Sequence, residues 1–254
     1  MALTGNRPLA AAAAALAAAG ASALTAPALT APALADSGAR TYQAVLDPLN
    51  HQKGSGTLTL ELDGRTATVT EHYSGLAGLL DGEPYPHLQH VHGGAEGRCP
   101  APGADADGDG VVSTAEGEPF YGPVRTTLSV RGETTPAAGT DLEIAPHGAA
   151  LDYERVIELD DATLASLRDG TAVVVVHGLD PSLIGEKARS AGSDLVPGVP
   201  LSVTAPALCG ALRPMAAHGA DTGAGTTGGT RVLGAGLIAL AGAALALAAR
   251  RRTA

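Results

Sequence analysis

Seven short segments of alternating apolar and polar residues limit how this chain can fold more than any other feature. They cover residues 42–46, 56–62, 66–73, 124–130, 153–159, 171–177 and 201–205. Side chains two residues apart lie on the same face of a β-strand, and several short strands separated by turn residues are typical of an antiparallel sandwich or barrel. We therefore predict one all-β domain over residues 36–214.

Two local signals add detail to this domain. Asp63-Gly64 stands between two alternating segments, which predicts a two-residue hairpin turn. Residues 161–168 predict the one clear helix, because Asp161 stands near the start, Arg168 in the last turn and Gly170 just after it.

The N-terminal residues have the composition of an export signal. Arg7 precedes an apolar run over residues 9–19, and the small residues Ala33 and Ala35 stand before Asp36. Signal peptidase accepts small side chains at two such positions, so residues 1–35 are predicted to be a signal peptide.

The C-terminal residues predict a membrane anchor. A small-residue linker over residues 215–231 leads into an uncharged apolar run over residues 232–249. As a helix this run would be about 27 Å long, just enough to span the hydrocarbon core of a membrane. The basic tail, residues 250–254, is expected to stay in the cytoplasm, leaving the β domain outside the cell membrane. The alternative is attachment to the cell wall, because residues 219–223 resemble a sortase signal that lacks its leading Leu.

Charge argues against one class of partner. The chain has 16 basic and 26 acidic residues, no Trp and a single Phe, so its net charge is −10. Neither phosphate contacts nor base stacking are favoured, and nucleic acid is not an expected partner. An acidic balance is compatible with cation binding, although it is also common in exported proteins that bind none.

The only two cysteines, Cys99 and Cys209, lie between the export signal and the anchor. Outside the cytoplasm a disulfide is the expected state, with a pair of buried free thiols as the alternative. Closing a loop of about 110 residues would stabilise the fold by roughly 4–5 kcal/mol through the unfolded chain.

Residues 105–116 fit the twelve-residue calcium loop of EF-hand proteins. The predicted ligands are Asp105, Asp107, Asp109, the Val111 carbonyl, Ser113 and Glu116. Gly110 allows the sharp turn at position six, and Val112 at position eight is the apolar residue expected to hold the loop to a core. The alternative is an acidic turn that binds only water.

Prolines and glycines flank this loop and argue against the usual pair of helices. Pro100 and Pro102 precede it, and Gly117, Pro119 and Gly122 follow it. We therefore expect an isolated loop inserted between strands, with calcium stabilising the structure instead of switching it.

Three histidines predict a second metal site. His90-Val91-His92 lies in a strand-like segment, so both imidazoles point to one face, and His177 ends the apolar segment 173–176. A structural role for each histidine is the alternative.

These residues resemble the copper/zinc superoxide dismutases. The likeness rests on His90-Val91-His92 followed by Cys99, on Val175-Val176-His177-Gly178 and on Leu208-Cys209-Gly210. It implies a Greek-key β-sandwich in which His90, His92 and His177 bind copper and Cys99 pairs with Cys209. The segments 90–95 and 164–177 also resemble the chordin-type (CHRD) domain, a related sandwich for which adhesion or matrix binding is the expected role.

The chain departs from the dismutase pattern in two places. No histidine occurs between residues 93 and 146, so the zinc ligands of that family are missing and the calcium loop stands in their place. Pro206 occupies the position of the family's substrate-guiding arginine, which weakens the attraction of an anion. Imidazoles alone still suit copper and leave a coordination position open.

Three functions follow as hypotheses. The first is a calcium-binding, dismutase-like module at the cell surface with a residual copper site and an unidentified extracellular ligand. The second is a copper-dependent superoxide dismutase without zinc, and the third is a CHRD-like adhesion or matrix module. We expect the calcium loop and the histidines to act independently of each other.

Overall fold

A computed structural model describes residues 39–215. The predicted signal peptide, nearly all of the linker, the membrane helix and the basic tail lie outside these residues. Within residues 39–215, no helix has the length and the apolar character needed to cross a membrane.

The described residues form eleven strands and four short helices. The strands are β1 (Arg40–Pro48), β2 (Ser55–Asp63), β3 (Thr66–Ser74), β4 (Leu79–Leu80), β5 (Glu83–Pro84), β6 (Gln89–His92), β7 (Val124–Thr127), β8 (Ala150–Glu158), β9 (Val173–His177), β10 (Pro206–Ala211) and β11 (Arg213–Pro214). The helices are α1 (Thr114–Tyr121), α2 (Asp161–Arg168), α3 (Glu186–Ser190) and α4 (Leu201–Thr204).

Nine strands form one antiparallel sheet, and β4 and β5 form a separate pair. The order is β7-β6-β9-β10-β1-β2-β3-β8, with β11 paired to one end of β1. Core side chains from opposite halves of the sheet, such as Val69 on β3 and Val174 on β9, belong to one cluster. The sheet is therefore curled around a shared core, and the prediction of an all-β fold is confirmed.

Strand β9 is buried on both of its faces, which explains its run of four valines. Val174 and Val176 face the main core, whereas Val173 and Val175 pack with Tyr121 on the opposite face. Because side chains alternate along a strand, His177 shares the face of Val173 and Val175, outside the main core.

The core also encloses a carboxyl group. Glu71 on β3 is fully buried, and neither of its oxygens has a hydrogen-bond partner. Burial raises the pKa of Glu71 to about 8, so this side chain is largely protonated and neutral at pH 7.

One predicted strand is wrong. Residues 201–204 form the helical turn α4 instead, and the strand starts at Pro206. The apolar residues Leu201 and Val203 and the polar residues Ser202 and Thr204 are all buried, so their alternation does not reflect a strand with one exposed face. Pro200 lies at the N-cap position in an extended conformation, directly before the turn.

Two other local predictions can be compared with the structure. Helix α2 has the predicted bounds, and the Asp160 side chain caps it by accepting a hydrogen bond from Thr163 N. The predicted hairpin lies one residue further along the chain, because Asp63 still pairs with Thr66 and the turn consists of Gly64 and Arg65. Gly64 has a φ of 61°, which favours glycine there.

Candidate metal centres

The structure brings His90, His92 and His177 together on the outer face of neighbouring strands. His90 is the Cα partner of Val175, and His92 that of Val173, so β6 and β9 hold the three imidazoles in register. One ring nitrogen from each lies within 4.8 Å of the others. The three residues are only 1–3% exposed, so loops cover them almost completely.

Backbone carbonyls determine which nitrogen of each ring carries the proton. His92 Nδ1 lies 2.7 Å from Gly122 O, and His177 Nδ1 lies 2.5 Å from Thr204 O. His90 Nε2 lies 2.8 Å from Gly139 O. Since a carbonyl oxygen can only accept, these nitrogens are the donors, and the other nitrogen of each neutral ring keeps its lone pair.

The other nitrogen of each ring points toward the other two rings, and no protein group donates a hydrogen bond to it. His90 Nδ1 and His177 Nε2 face each other at 3.3 Å, and two such lone pairs repel unless a proton or a cation lies between them. His92 Nε2 is buried and has no hydrogen-bond partner. A buried polar atom without a partner costs about 1–3 kcal/mol. The three nitrogens therefore fit a metal ion better than they fit one another.

The rings are neutral at pH 7, as metal binding requires. Burial, followed by the neighbouring histidines, lowers the pKa of His90 well below its usual value. Burial lowers the pKa of His92 to about 3, with His177 adding to the effect. Burial lowers the pKa of His177 to about 4, although the Thr204 carbonyl and the Asp194 carboxylate act in the opposite direction.

A cavity of about 160 Å³ adjoins the three imidazoles. Its other lining residues are Leu88, Thr114, Val124, Pro136, Gly139, Thr140, Leu195 and Thr204. Apart from the imidazoles this lining includes no basic side chain, and the Asp194 carboxylate that acts on His177 is negative. The cavity therefore favours a cation over an approaching anion.

His87 does not supply a fourth nitrogen. Its Nδ1 lies 2.9 Å from His177 O and its Nε2 lies 2.9 Å from Ala77 O. Both ring nitrogens of His87 therefore face carbonyl oxygens, and its ring packs between Tyr73 and Tyr85 instead of joining the other three imidazoles.

The calcium-type loop brings three of its predicted ligands together. Carboxylate oxygens of Asp105, Asp107 and Asp109 lie within 4.8 Å of one another, and Gly110 has a φ of 90°. Burial is the largest cause that raises the pKa of Asp109, and the neighbouring carboxylates raise it further. The loop therefore concentrates negative charge that a cation would neutralise.

Other predicted ligands serve the backbone of the loop. Glu116 Oε1 accepts from Ala106 N at 2.7 Å, and Glu116 Oε2 accepts from Ser113 N at 2.9 Å. Ser113 Oγ accepts from Glu116 N, so these two residues form a capping box. Val111 is buried, and its N–H donates to Asp109 Oδ1.

The prediction of an isolated loop without helices is wrong on one side. Helix α1 starts at Thr114, inside the loop, and continues to Tyr121. The capping box at its start stabilises a helix that Gly117 and Pro119 would otherwise disfavour. Between β6 and the loop, the only helical element of the described residues is a single 3₁₀ turn, Pro102–Ala104.

Asn50 holds the loop to the sheet and was missed by the sequence analysis. Its side-chain amide accepts from Val112 N at 2.8 Å and donates to Val112 O at 2.9 Å, as a paired backbone would. The same Nδ2 donates to Pro206 O at the start of β10. A single asparagine 62 residues away gives no pattern that could predict this contact.

The structure joins Cys99 and Cys209 in a disulfide with Cα atoms 5.9 Å apart. It links the segment after β6 to β10, beside the face that carries the histidines.

No protein-family model matches this sequence, and no curated protein matches it. The chemistry of the chain must therefore be inferred from its own residues.

Proposed function

We propose that this protein is an exported, cell-surface β-sandwich module that binds copper at His90, His92 and His177 and calcium at residues 105–116. The observation that carries the proposal is the set of three buried imidazole nitrogens whose lone pairs converge. Imidazole ligands suit copper, which binds most tightly among the divalent first-row metals. The calcium loop adds an oxygen-rich site of the kind that hard cations prefer.

The strand order supports the resemblance to the dismutase fold. Strand β9 returns past β7 and β8 to lie beside β6, and β10 lies beside β1. Such long returns between antiparallel strands characterise Greek-key sandwiches. This arrangement is what allows two histidines of β6 and one of β9 to share a site.

Each part of the chain has a separate role in the proposed copper site. The carbonyls of Gly139, Gly122 and Thr204 fix the tautomers, and β6 and β9 orient the rings. Burial keeps the rings neutral. Bound copper would supply one-electron redox chemistry beside the cavity.

Metal titration of the purified full chain tests the proposal. We expect one Cu(II) per chain with nitrogen hyperfine coupling in its electron paramagnetic resonance spectrum, and a separate heat of Ca²⁺ binding. His92→Ala should lose the copper signal. The matched control is His72→Ala, which removes an exposed histidine paired with Asp152. Copper uptake that is equal in both variants would contradict the proposed site.

A copper-dependent superoxide dismutase is the second candidate. The cavity beside the imidazoles favours it, since a small molecule could reach an open coordination position. The absence of basic residues from the cavity lining weakens it, because superoxide is an anion. Superoxide decay measured with the copper-loaded chain should not exceed that of an equal amount of free copper, and a faster decay would favour the enzyme.

A further inference from the structure

Helix α1 contacts both candidate metal centres. Its first three residues, Thr114 to Glu116, are the last three of the calcium-type loop, and the residue after its end, Gly122, contacts the histidine cluster. We expected the two sites to act independently, because no sequence pattern connects them.

The start of α1 reaches His177 through one carbonyl oxygen. Thr114 Oγ1 donates to Thr204 O at 2.6 Å, and the same oxygen accepts from His177 Nδ1 at 2.5 Å. Thr114 also lines the cavity beside the imidazoles. A shift of the helix start would therefore change the group that orients His177.

The end of α1 holds His92. Gly122 O accepts from His92 Nδ1, and the Tyr121 ring lies 4.6 Å from the His92 ring, centroid to centroid. Tyr121 also donates its hydroxyl hydrogen to Thr114 O at 2.9 Å, which ties the two ends of the helix together. A displacement at one end is thus resisted by contacts at the other.

Asn50 provides a second connection between the sites. It binds Val112 in the loop and Pro206 on β10, and Pro206 is the Cα partner of His177. The loop is therefore bonded to the sheet next to the strand that carries the histidine.

From these contacts we propose that α1 couples the two centres, so that calcium in the loop raises the affinity of the histidine cluster for copper. The inference rests on the proposed function. Repulsion among Asp105, Asp107 and Asp109 opposes the ordered loop, and a cation removes that repulsion. A ligand that orders α1 reduces the ordering cost for a ligand at the other site. By linkage, copper must raise the affinity for calcium by the same factor.

Calorimetry of the purified full chain tests the coupling with Cu(II) and Ca²⁺ as the only added metals. We expect the copper dissociation constant to fall by roughly 5- to 20-fold when calcium is saturating. Thr114→Val removes the donor to Thr204 O and should reduce the calcium effect to less than twofold. Thr114→Ser keeps a hydroxyl and should restore it.

Thr163→Val is the matched control for lost stability. Thr163 is a buried threonine on α2 whose hydroxyl donates to Asp160 and contacts the Thr126 hydroxyl on β7. Thr126 is the partner of Val91, which faces the main core on the side of β6 opposite the histidines. This variant should keep the full calcium effect, as read from copper affinity and from the Cu(II) spectrum. A loss equal to that of Thr114→Val would mean that general destabilisation, and not positioning, is responsible.

The outcomes separate the coupling from the proposed function. If both metals bind and calcium changes copper affinity by less than twofold, the coupling is wrong while the proposed function stands. If either metal fails to bind, both are wrong.

Discussion

The histidine cluster and the calcium-type loop differ in where their ligand atoms lie. His90, His92 and His177 are buried on two paired strands, whereas the Asp107 side chain is 67% exposed on a loop. The histidine lone pairs have no protein donor, but the aspartates accept hydrogen bonds from the loop's own backbone, as Asp105 does from Gly108 N. Folding therefore leaves the nitrogens of the histidine cluster free to bind a metal. A cation in the calcium-type loop must instead compete with existing hydrogen bonds.

This difference predicts unequal responses to metals. Copper would bond to imidazole nitrogens of the histidine cluster that otherwise have no partner, so copper binding should stabilise the fold strongly. In the calcium-type loop a cation replaces backbone hydrogen bonds with metal bonds. The affinity of the loop for calcium should therefore be lower and more sensitive to ionic strength.

The largest expected effect comes from removing each ligand set in turn. His90→Ala with His177→Ala should weaken copper binding by more than about 100-fold, because two of three ligands are lost, and should leave a melting-temperature rise with calcium. Asp105→Ala with Glu116→Ala should abolish the calcium-dependent rise, which we expect to be about 5–10 °C at saturation, measured by calorimetry.

The melting temperatures with and without calcium are compared within each variant. This is necessary because Glu116 also caps α1, so its substitution changes the melting temperature even without calcium. The loop variant should lose copper affinity only by the coupling factor proposed above. A loop variant that loses copper as completely as the histidine variant would mean that the two centres are a single site.

Low pH should destabilise the fold through protonation of the buried imidazoles in the histidine cluster. Imidazoles in the unfolded chain have a pKa near 6.5, and burial lowers the pKa of His92 to about 3 and that of His177 to about 4. The unfolded chain therefore binds more protons at these imidazoles, which should lower the stability of the metal-free protein by a few kcal/mol as the pH falls from 6.5 to 4. Glu71, whose pKa burial raises to about 8, acts in the opposite direction in the parent chain and in every variant, so the comparison between variants isolates the histidine effect.

Urea unfolding across this pH range measures the loss. His177→Gln should show a smaller decrease, whereas His72→Ala, which removes an exposed imidazole, should behave like the parent chain. An unchanged slope in His177→Gln would show that the buried imidazole does not resist protonation.

The smallest expected effect concerns a cation beside the loop. Lys187 Nζ donates to Asp107 O at 2.6 Å and lies 3.5 Å from Asp107 Oδ1. Lys187→Met should raise calcium affinity by about two- to fivefold at low salt, because an exposed ion pair contributes up to about 1 kcal/mol.

Titration calorimetry at low and high salt checks this prediction, and the gain should shrink as salt increases. Arg65→Met, which removes an exposed ion pair with Asp161, is the control and should leave calcium affinity unchanged. A lower calcium affinity in Lys187→Met would mean that Lys187 holds the loop in its binding shape.

Features that depend on neighbours along the chain could be predicted from the residues alone. Period-two alternation identified most strands, and terminal signals identified α2. Alternation also placed His90 and His92 on one face. Local patterns failed for residues 201–204, which are buried on all sides, and at the start of α1, where a capping box outweighs the glycine and proline that follow.

Contacts between distant residues could not be predicted in this way, because they depend on how the strands pair. The pairing of β6 with β9 brings His177 to His90 and His92, and the carbonyls of Gly122, Gly139 and Thr204 select the nitrogens left free. These contacts join segments about 30 to 90 residues apart, and a backbone carbonyl has no sequence signature. Hydrogen bonding and burial therefore define the site, and both come from the curled sheet and the loops that cover it.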